Sequence, residues 1–561
     1  MNIMDMSYFY RGGGVAIADL NNDQWPDLIL GGNMSPTEIY LNQGGFRFEE
    51  VTEEAGLLAR QLINGISVAD INQDGNLDIY LCAGGYTDPK MRKNLLFVHQ
   101  GTNAQGVPRY EEQAADYHLD SDKSTTQAVF FDFDKDQDLD VILVNTDPDN
   151  LNPNIVKPRI NDGSVPNTDQ LLENRLDEEG IFVDVSSHAG IVYEGFSLGV
   201  AVSDINDDGW PDIYVANDHL SNDLLYINNQ DGTFTNRIAD LVTAQSYYSM
   251  GVLTQDLTND GLTDIFTLDM LPETQERRQK MMMAMHWTKF SLAEDYEYEA
   301  QFMRNTLQVN LGKKQQGVPV FAEVAQSAGL HDTDWSWGCL SADFDLNGYS
   351  DIIISNGYAR DITDMDFVSY HENNACFTKS LDNKLYKKDL ADRPPILLSN
   401  YAFANRGKLQ FEDVSAQWGL KQPNLSNGIA YGDLDRDGDL DLVINHINQR
   451  ASVYRNQLSS PDKHFIKIYP VNQSGIPVFG VKAYLYSEQE VQFRELYPVQ
   501  GYQSMHEAVV HFGLSGQKVD SIRLVWPKGA TTRLLKPATD TVLYVEQPQP
   551  LKKEFNKIPA P

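Results

Sequence analysis

Short apolar runs recur along the chain in pairs, each pair split by a stretch of acidic and amide residues. Val15-Ala16-Ile17-Ala18 precedes one such stretch and Leu28-Ile29-Leu30 follows it. Ile66-Ser67-Val68-Ala69 with Ile79-Tyr80-Leu81, Val129-Phe130-Phe131 with Val141-Ile142-Leu143-Val144, and Val200-Ala201-Val202 with Ile213-Tyr214-Val215 repeat the arrangement. The runs are apolar on both faces and rich in β-branched residues, as buried strands are. A third run follows, as in Ile39-Tyr40-Leu41-Asn42, and a fourth, as in Phe46 to Val51 and Phe411-Glu412-Asp413-Val414. Four strands in each of seven repeats predict an all-β, seven-bladed propeller.

The polar stretches share one pattern: Asp at position 1, an oxygen side chain at 3 and 5, and Asp at 9. In chain order they are Asp19, Asn21, Asp23, Asp27; Asp70, Asn72, Asp74, Asp78; Asp132, Asp134, Asp136, Asp140; and Asp204, Asn206, Asp208, Asp212. Asp256, Thr258, Asp260, Asp264; Asp343, Asp345, Asn347, Asp351; and Asp433, Asp435, Asp437, Asp441 complete the set. A hard cation takes six to eight oxygens, so these loops, joining the first strand of each blade to the second, are expected to hold up to seven Ca2+. Position 7 can add its backbone carbonyl. Glycine at position 6 permits the sharp turn, and Gln24 and Gln137 stand where it is usual, which predicts strain there. Loops three and seven carry the most carboxylates at the four ligand positions and should bind tightest.

Composition narrows the partners. The net charge of the 561 residues is −36, which argues against nucleic acid as partner. No run of about 18 apolar residues predicts a membrane span. Met1 to Asp5 has neither the basic flank nor the apolar stretch of a signal peptide. Cys82, Cys339 and Cys376 are too few and scattered for a disulfide framework.

The repeats resemble FG-GAP/VCBS repeats, the kind found in integrin α-chain propellers, over roughly residues 10–456. Phrases such as Tyr8 to Ala16 and Thr333-Asp334-Trp335-Ser336-Trp337 are similar to those of Bacteroidetes-type cell-surface members. Residues 463–548 resemble the ASPIC/UnbV domain through Phe479 to Ala483, Arg494-Glu495-Leu496, Gly501-Tyr502-Gln503-Ser504, His511 to Leu514 and Val525 to Gly529. The expected organisation is a propeller over 1–458, a small β-rich domain over 459–549 and a tail over 550–561. The resemblance implies an extracellular or outer-membrane surface location, and an N-terminus trimmed of its leader. The seventh blade runs out of strands after Val453-Tyr454-Arg455-Asn456, so its last strand is expected from residues upstream of the given start or, alternatively, from Ile3–Tyr10 or Phe465–Ile468.

Long insertions at 145–170, 269–305 and 356–395 fall on the face opposite the acidic loops. That face is expected to do the recognising, as the integrin resemblance also implies. Glu273 to Arg304 reads as helix and holds Met281, Met282, Met283, Met285 and Trp287. Candidate ligand contacts are Trp287, Tyr358, Arg360 and His219, while Trp335 and Trp337 read as core or channel lining and His511 as structural. No nucleophile elbow, HExxH, Walker loop or dinucleotide fingerprint is present, and no catalytic residue is assigned. The expectation is a calcium-stabilised, non-enzymatic surface protein that binds a glycan or protein partner through the insertion face. The alternative is a propeller-fold polysaccharide lyase or hydrolase.

Overall fold

The computed structural model describes residues 10–147, 155–281, 287–313, 318–370, 388–458, 462–488, 490–516 and 518–548. The repeats form seven antiparallel sheets. Six have four strands in chain order; the seventh, Ser426–Gly432, Asp441–His446 and Ser452–Tyr454, has three. The innermost strands are Val15–Ala18, Ile63–Ala69, Ser124–Phe131, Ser197–Ser203, Val252–Gln255, Ser336–Ala342 and Ser426–Gly432. They neighbour one another in that order and the last lies against the first, which closes the ring of a propeller. The second strand of every sheet starts on the Asp at loop position 9.

The core lies between neighbouring sheets. Tyr80 and Leu96 of the second sheet, for example, pack against Phe130, Leu143 and Phe182 of the third. Burying such side chains contributes roughly 1.5–3 kcal/mol each. Three fourth strands run into one-turn helices, Thr52–Ala55, Ser186–Ala189 and Ala325–Ala328, each stopped by a left-handed glycine.

The C-terminal strands form two further sheets. Lys463–Val471 lies between Val510–Ser515, antiparallel, and Thr541–Glu546, parallel. Lys482–Ser487 lies between Val491–Glu495 and Val519–Val525. Phe465–Ile468 therefore does not complete the seventh propeller sheet, because both of its edges are paired here and Ile466 and Ile468 are buried beside Phe512 and Trp526. Residues 3–9 of the other candidate segment lie outside the described residues.

Between Val491–Glu495 and Val510–Ser515 the chain enters the ring. The Gly501 amide donates to Val252 O at 2.7 Å and Val252 N donates back to Gly501 O at 3.1 Å. Met505 N donates to Val15 O at 2.8 Å, Ile17 N to Met505 O at 3.1 Å, and Ile66 N to Gln503 O at 3.2 Å. This segment fills the axis and bonds to inner strands of four sheets, the fourth through Glu507 N, which donates to Tyr431 O at 3.0 Å. Two glycines make the approach possible: a Cβ on Gly14 would collide with the Gln503 carbonyl, and one on Gly501, at φ 79°, with the Cys339 carbonyl.

One expectation is corrected. Glu273 to Arg304 is not a single helix: Gln275–Lys280 and Trp287–Asp295 are helical, and Gln301–Phe302 pairs in parallel with Gln245–Ser246. Glu297 takes a left-handed φ of 63° just beyond the second helix, a conformation that does not continue one. Met281 is buried, and Met282, Met283 and Met285 lie outside the described residues.

Candidate metal centres and the face that covers them

All seven loops fold the same way. Position 4 is left-handed in each: Asn22, Gln73, Lys135, Asp207, Asn259, Leu346 and Arg436, with φ between 50° and 64°. Position 6 is left-handed too, in Gly75, Gly209, Gly261, Gly348 and Gly438 and equally in Gln24 (φ 70°) and Gln137 (φ 94°). Holding a residue with a Cβ there costs about 1 kcal/mol or more. Gln137→Gly is therefore expected to stabilise the protein by about 1 kcal/mol, read as a higher urea midpoint at unchanged slope.

Carboxylates hold this shape. In loop four, Asp204 at position 1 accepts from Asp208 N at 2.9 Å and Gly209 N at 2.6 Å. Asp212 at position 9 accepts from Ile205 N at 3.0 Å and Asn228 N at 2.9 Å. The position 9 carboxylate bridges the loop and the third strand in the same way in every repeat, as Asp27 does through Leu20 N and Asn42 N and Asp441 through Leu434 N and Asn456 N. The four side chains assigned to each loop thus converge on one turn, although Thr258 places only a hydroxyl there, 3.4 Å from Asp256 Oδ1.

These carboxylates are poorly compensated. Three oxygen sets lie within 4.8 Å of one another, those of Asp132, Asp134, Asp136; Asp343, Asp345, Asp351; and Asp433, Asp435, Asp441. Among the described residues, Oδ1 of Asp132, Asp138, Asp345, Asp433, Asp435 and Asp439 is buried without a hydrogen-bond partner. Leaving such an oxygen unpaired is costly, and a hard cation is the partner that suits a set of them. Burial, reinforced by neighbouring acids, pushes Asp132 up to about 7, Asp138 to about 8, Asp439 to about 7 and Asp441 to about 8. Asp138 and Asp439 were missed as candidates. They stand at position 7, where only a carbonyl was expected, and the signal was present as a fifth Asp in each loop.

The shifts set a pH dependence. The ordinary value is 3.8, so between pH 4 and the folded values of about 7 to 8 the folded chain holds protons that the unfolded chain has released. The stability this contributes is full below 3.8 and is lost as pH rises through about 7 to 8. Metal-free protein is expected to lose thermal stability steadily from pH 5 to pH 8, and calcium, by taking the place of those protons, to flatten the profile.

The C-terminal sheets sit on the acidic loops. Lys482 Nζ lies 2.5 Å from Asp204 Oδ2, and Ser203 Oγ donates to Glu495 Oε2 at 2.5 Å. Lys467, 2% exposed, bridges Asp433 at 3.0 Å and Glu507 at 3.3 Å, and Tyr469 OH donates to Glu507. Burial pulls the Lys467 ammonium down, but Glu507 and Asp433 more than offset it and the net shift is upward. Lys528 donates to Asp136 O at 3.2 Å, and His511, structural as expected, sits 2.9 Å from Gly438 O. Within the propeller, Arg455 pairs with Asp435 at 2.6 Å and Arg406 with Asp345 at 2.6 Å. Loops four, six and seven thus have cations already on them, whereas loop three has no ion pair to its carboxylates among the described residues.

The four candidate ligand contacts are scattered over the opposite end. Trp287 is 78% exposed and stacks on Phe290. Tyr358 is buried, its ring 3.8 Å from Trp335 and 6.0 Å from Trp337, so that both tryptophans are core. Arg360 Nη1 donates to Ala359 O at 2.9 Å. His219 is half-buried, left-handed at φ 65°, 3.3 Å from Asp218 and edge-on to Phe196 and Tyr248.

Family models match two parts of the chain: an FG-GAP-like repeat at 19–81 and 204–267, and the ASPIC and UnbV domain at 471–552. The chain carries FG-GAP-like repeats and a C-terminal ASPIC/UnbV domain. It is 22% identical to cartilage acidic protein 1 of Mus musculus over 533 residues, covering 89% of this chain and 76% of that protein. The Xenopus tropicalis protein of the same name is 22% identical over 499 residues, covering 84% and 71%. Among solved structures, an Agrocybe aegerita lectin specific for non-reducing terminal N-acetylglucosamine aligns at TM-score 0.37 and 14% identity, over 80% of this chain and 95% of the lectin. Trypanosoma rangeli sialidase aligns at TM-score 0.31 and 11% identity, over 93% and 83%.

Proposed function

We propose that this protein is a calcium-stabilised, non-enzymatic extracellular or cell-surface propeller that recognises a glycan or protein partner on the face opposite its acidic loops. The single observation that carries the reading is the covering of the loop face by the C-terminal sheets, which leaves the insertion face outward. Of the seventeen large apolar side chains exposed among the described residues, seven come from the three insertions: Ile155, Trp287, Leu292, Tyr296, Phe302, Met365 and Tyr370.

Calcium fits the donor sets because their oxygens are hard, anionic and partly unpartnered. It would supply positive charge that the loops lack and would tie the first strand of a sheet to the second. Loop three, with Asp132, Asp134, Asp136, Asp138 and Asp140, is the first site to fill on this reading. Loop seven ranks below it because Lys467 and Arg455 already neutralise part of its charge.

Recognition is tested by presenting the protein to arrays of glycans and of matrix proteins, with Trp287→Ala in parallel. The reading expects a hit that weakens at least tenfold in the variant, as loss of an exposed aromatic anchor does. A hit untouched by Trp287→Ala and by changes at Phe302 and Tyr370 would place recognition on another surface. Turnover of a polysaccharide, lost in His219→Ala, would favour the lyase or hydrolase alternative.

A further inference from the structure

Position 4 of each acidic loop stands between the ligand positions 3 and 5 and supplies no ligand of its own. In four loops its side chain reaches the next loop round the ring instead. Gln73 Nε2 of loop two donates to Gln137 O of loop three at 3.2 Å, and Asn259 Nδ2 of loop five donates to Gly348 O of loop six at 2.9 Å. Lys135 Nζ of loop three lies 4.5 Å from the centre of the Trp210 ring of loop four. The Arg436 guanidinium of loop seven lies 5.4 Å from the centre of the Trp25 ring of loop one and donates to Gln24 Oε1 there at 3.2 Å.

The contacts obey one rule: their targets are positions 6 and 7. An amide at position 4 meets a position 6 carbonyl, and a cation at position 4 meets a position 7 tryptophan. Loops one and four, the two with tryptophan at position 7, are also the two preceded by a basic residue at position 4. Among the described residues Asn22, Asp207 and Leu346, at position 4 of loops one, four and six, make no hydrogen bond or cation–ring contact with the loop that follows. The ring of loops is thereby divided into three linked groups: two, three and four; five and six; seven and one.

The links land on backbone that must be ordered before an ion is held, because position 7 is where each loop offers its carbonyl. An ion that draws positions 3 and 5 together fixes position 4 between them, and through it positions 6 and 7 of the next loop. The neighbour then binds with part of its ordering already done, which raises its affinity, and the effect is reciprocal.

We propose, on the calcium reading above, that ions fill these loops cooperatively within the three groups and independently between them. Gln73, Lys135, Asn259 and Arg436 are the positioning residues that carry the coupling.

The test follows hydrogen exchange of each loop in the full chain against free calcium, at about 0.15 M salt to screen repulsion between ions, so that every loop has its own midpoint. With loop three disabled by Asp132→Ala and Asp136→Ala, loops two and four should need about fivefold more calcium, the factor that one hydrogen bond is worth. Loops five, six, seven and one should keep their midpoints. Asn259→Gly removes the link from loop five to loop six without removing a ligand, and glycine holds the left-handed turn without strain. It should raise the loop six midpoint by a similar factor, and should add nothing in a chain whose loop five is disabled by Asp256→Ala and Asp260→Ala. A merely structural role for Asn259 would shift loop six equally in both backgrounds. That result, loops two and four unmoved by the loss of loop three, all loops moved alike, or a loop six indifferent to Asn259→Gly would each overturn the coupling while calcium still binds. Exchange that responds to calcium in no loop would overturn the calcium reading with it.

Discussion

Stripping calcium will lower the thermal midpoint by about 7 °C if only loops three, six and seven bind, and by about 16 °C if all seven do. Each site filled at a hundredfold excess over Kd adds about 2.7 kcal/mol to the native state. Unfolding entropy is about 2.1 cal/mol/K per residue, so for a cooperative unit of 561 residues each kcal/mol moves the midpoint by about 1 °C. The check is thermal unfolding in calcium and in chelator at matched ionic strength. Magnesium should restore little, because the loops offer more oxygens than its strict octahedron takes. Asp132→Ala with Asp136→Ala should remove one site's share and leave the rest.

Lys467→Met is expected to destabilise metal-free protein by about 3–5 kcal/mol, the cost of leaving buried carboxylates without their cation. Asp433 is 1% exposed, and Glu507 is buried with the Tyr469 hydroxyl and the Asp433 amide as its remaining donors. In excess calcium the loss should shrink, since an ion in loop seven neutralises Asp433 in place of the lysine. Lys467→Met combined with Glu507→Gln should recover much of the stability, which separates a charge effect from a packing effect. Denaturant melts of the three proteins, with and without calcium, read all of this. An equal loss in both conditions would mean that the lysine and the ion do not share the carboxylate.

These two results bear on one arrangement, in which the C-terminal sheets and a cation act on the same loops. The sequence shows one half of it. The acidic loops were legible because their chemistry is local: nine residues define the turn, its left-handed positions and its ligands, and the strands begin where position 9 stands. Even the strain at Gln24 and Gln137 could be read in advance, since glycine is the residue that the φ of position 6 favours. The ring followed from the repeat.

The other half was hidden by distance along the chain. Lys467, Lys482 and Lys528 look scattered in sequence, and only the fold brings them onto loops seven, four and three, which lie roughly 30 to 390 residues away. Gly501 to Ser504 was legible as a family phrase but not as the segment that fills the axis, because its partners Val15, Ile66 and Val252 come from three different sheets. Glu273 to Arg304 holds no Pro or Gly to stop a helix, yet among the described residues only Gln275–Lys280 and Trp287–Asp295 are helical, because tertiary context overrides propensity. Trp335 and Trp337 were assigned to the core or channel on strand alternation, and their stacking on Tyr358 gives the physical reason.

Calcium bound per chain is the most direct test of the account. The purified protein is dialysed to equilibrium against buffered calcium, and metal and protein are counted by elemental analysis, for the native chain and for Asp132→Ala with Asp136→Ala. The account predicts at least three ions per native chain and one fewer in the variant. A native chain carrying no calcium above the dialysis buffer, with its fold intact, would contradict it.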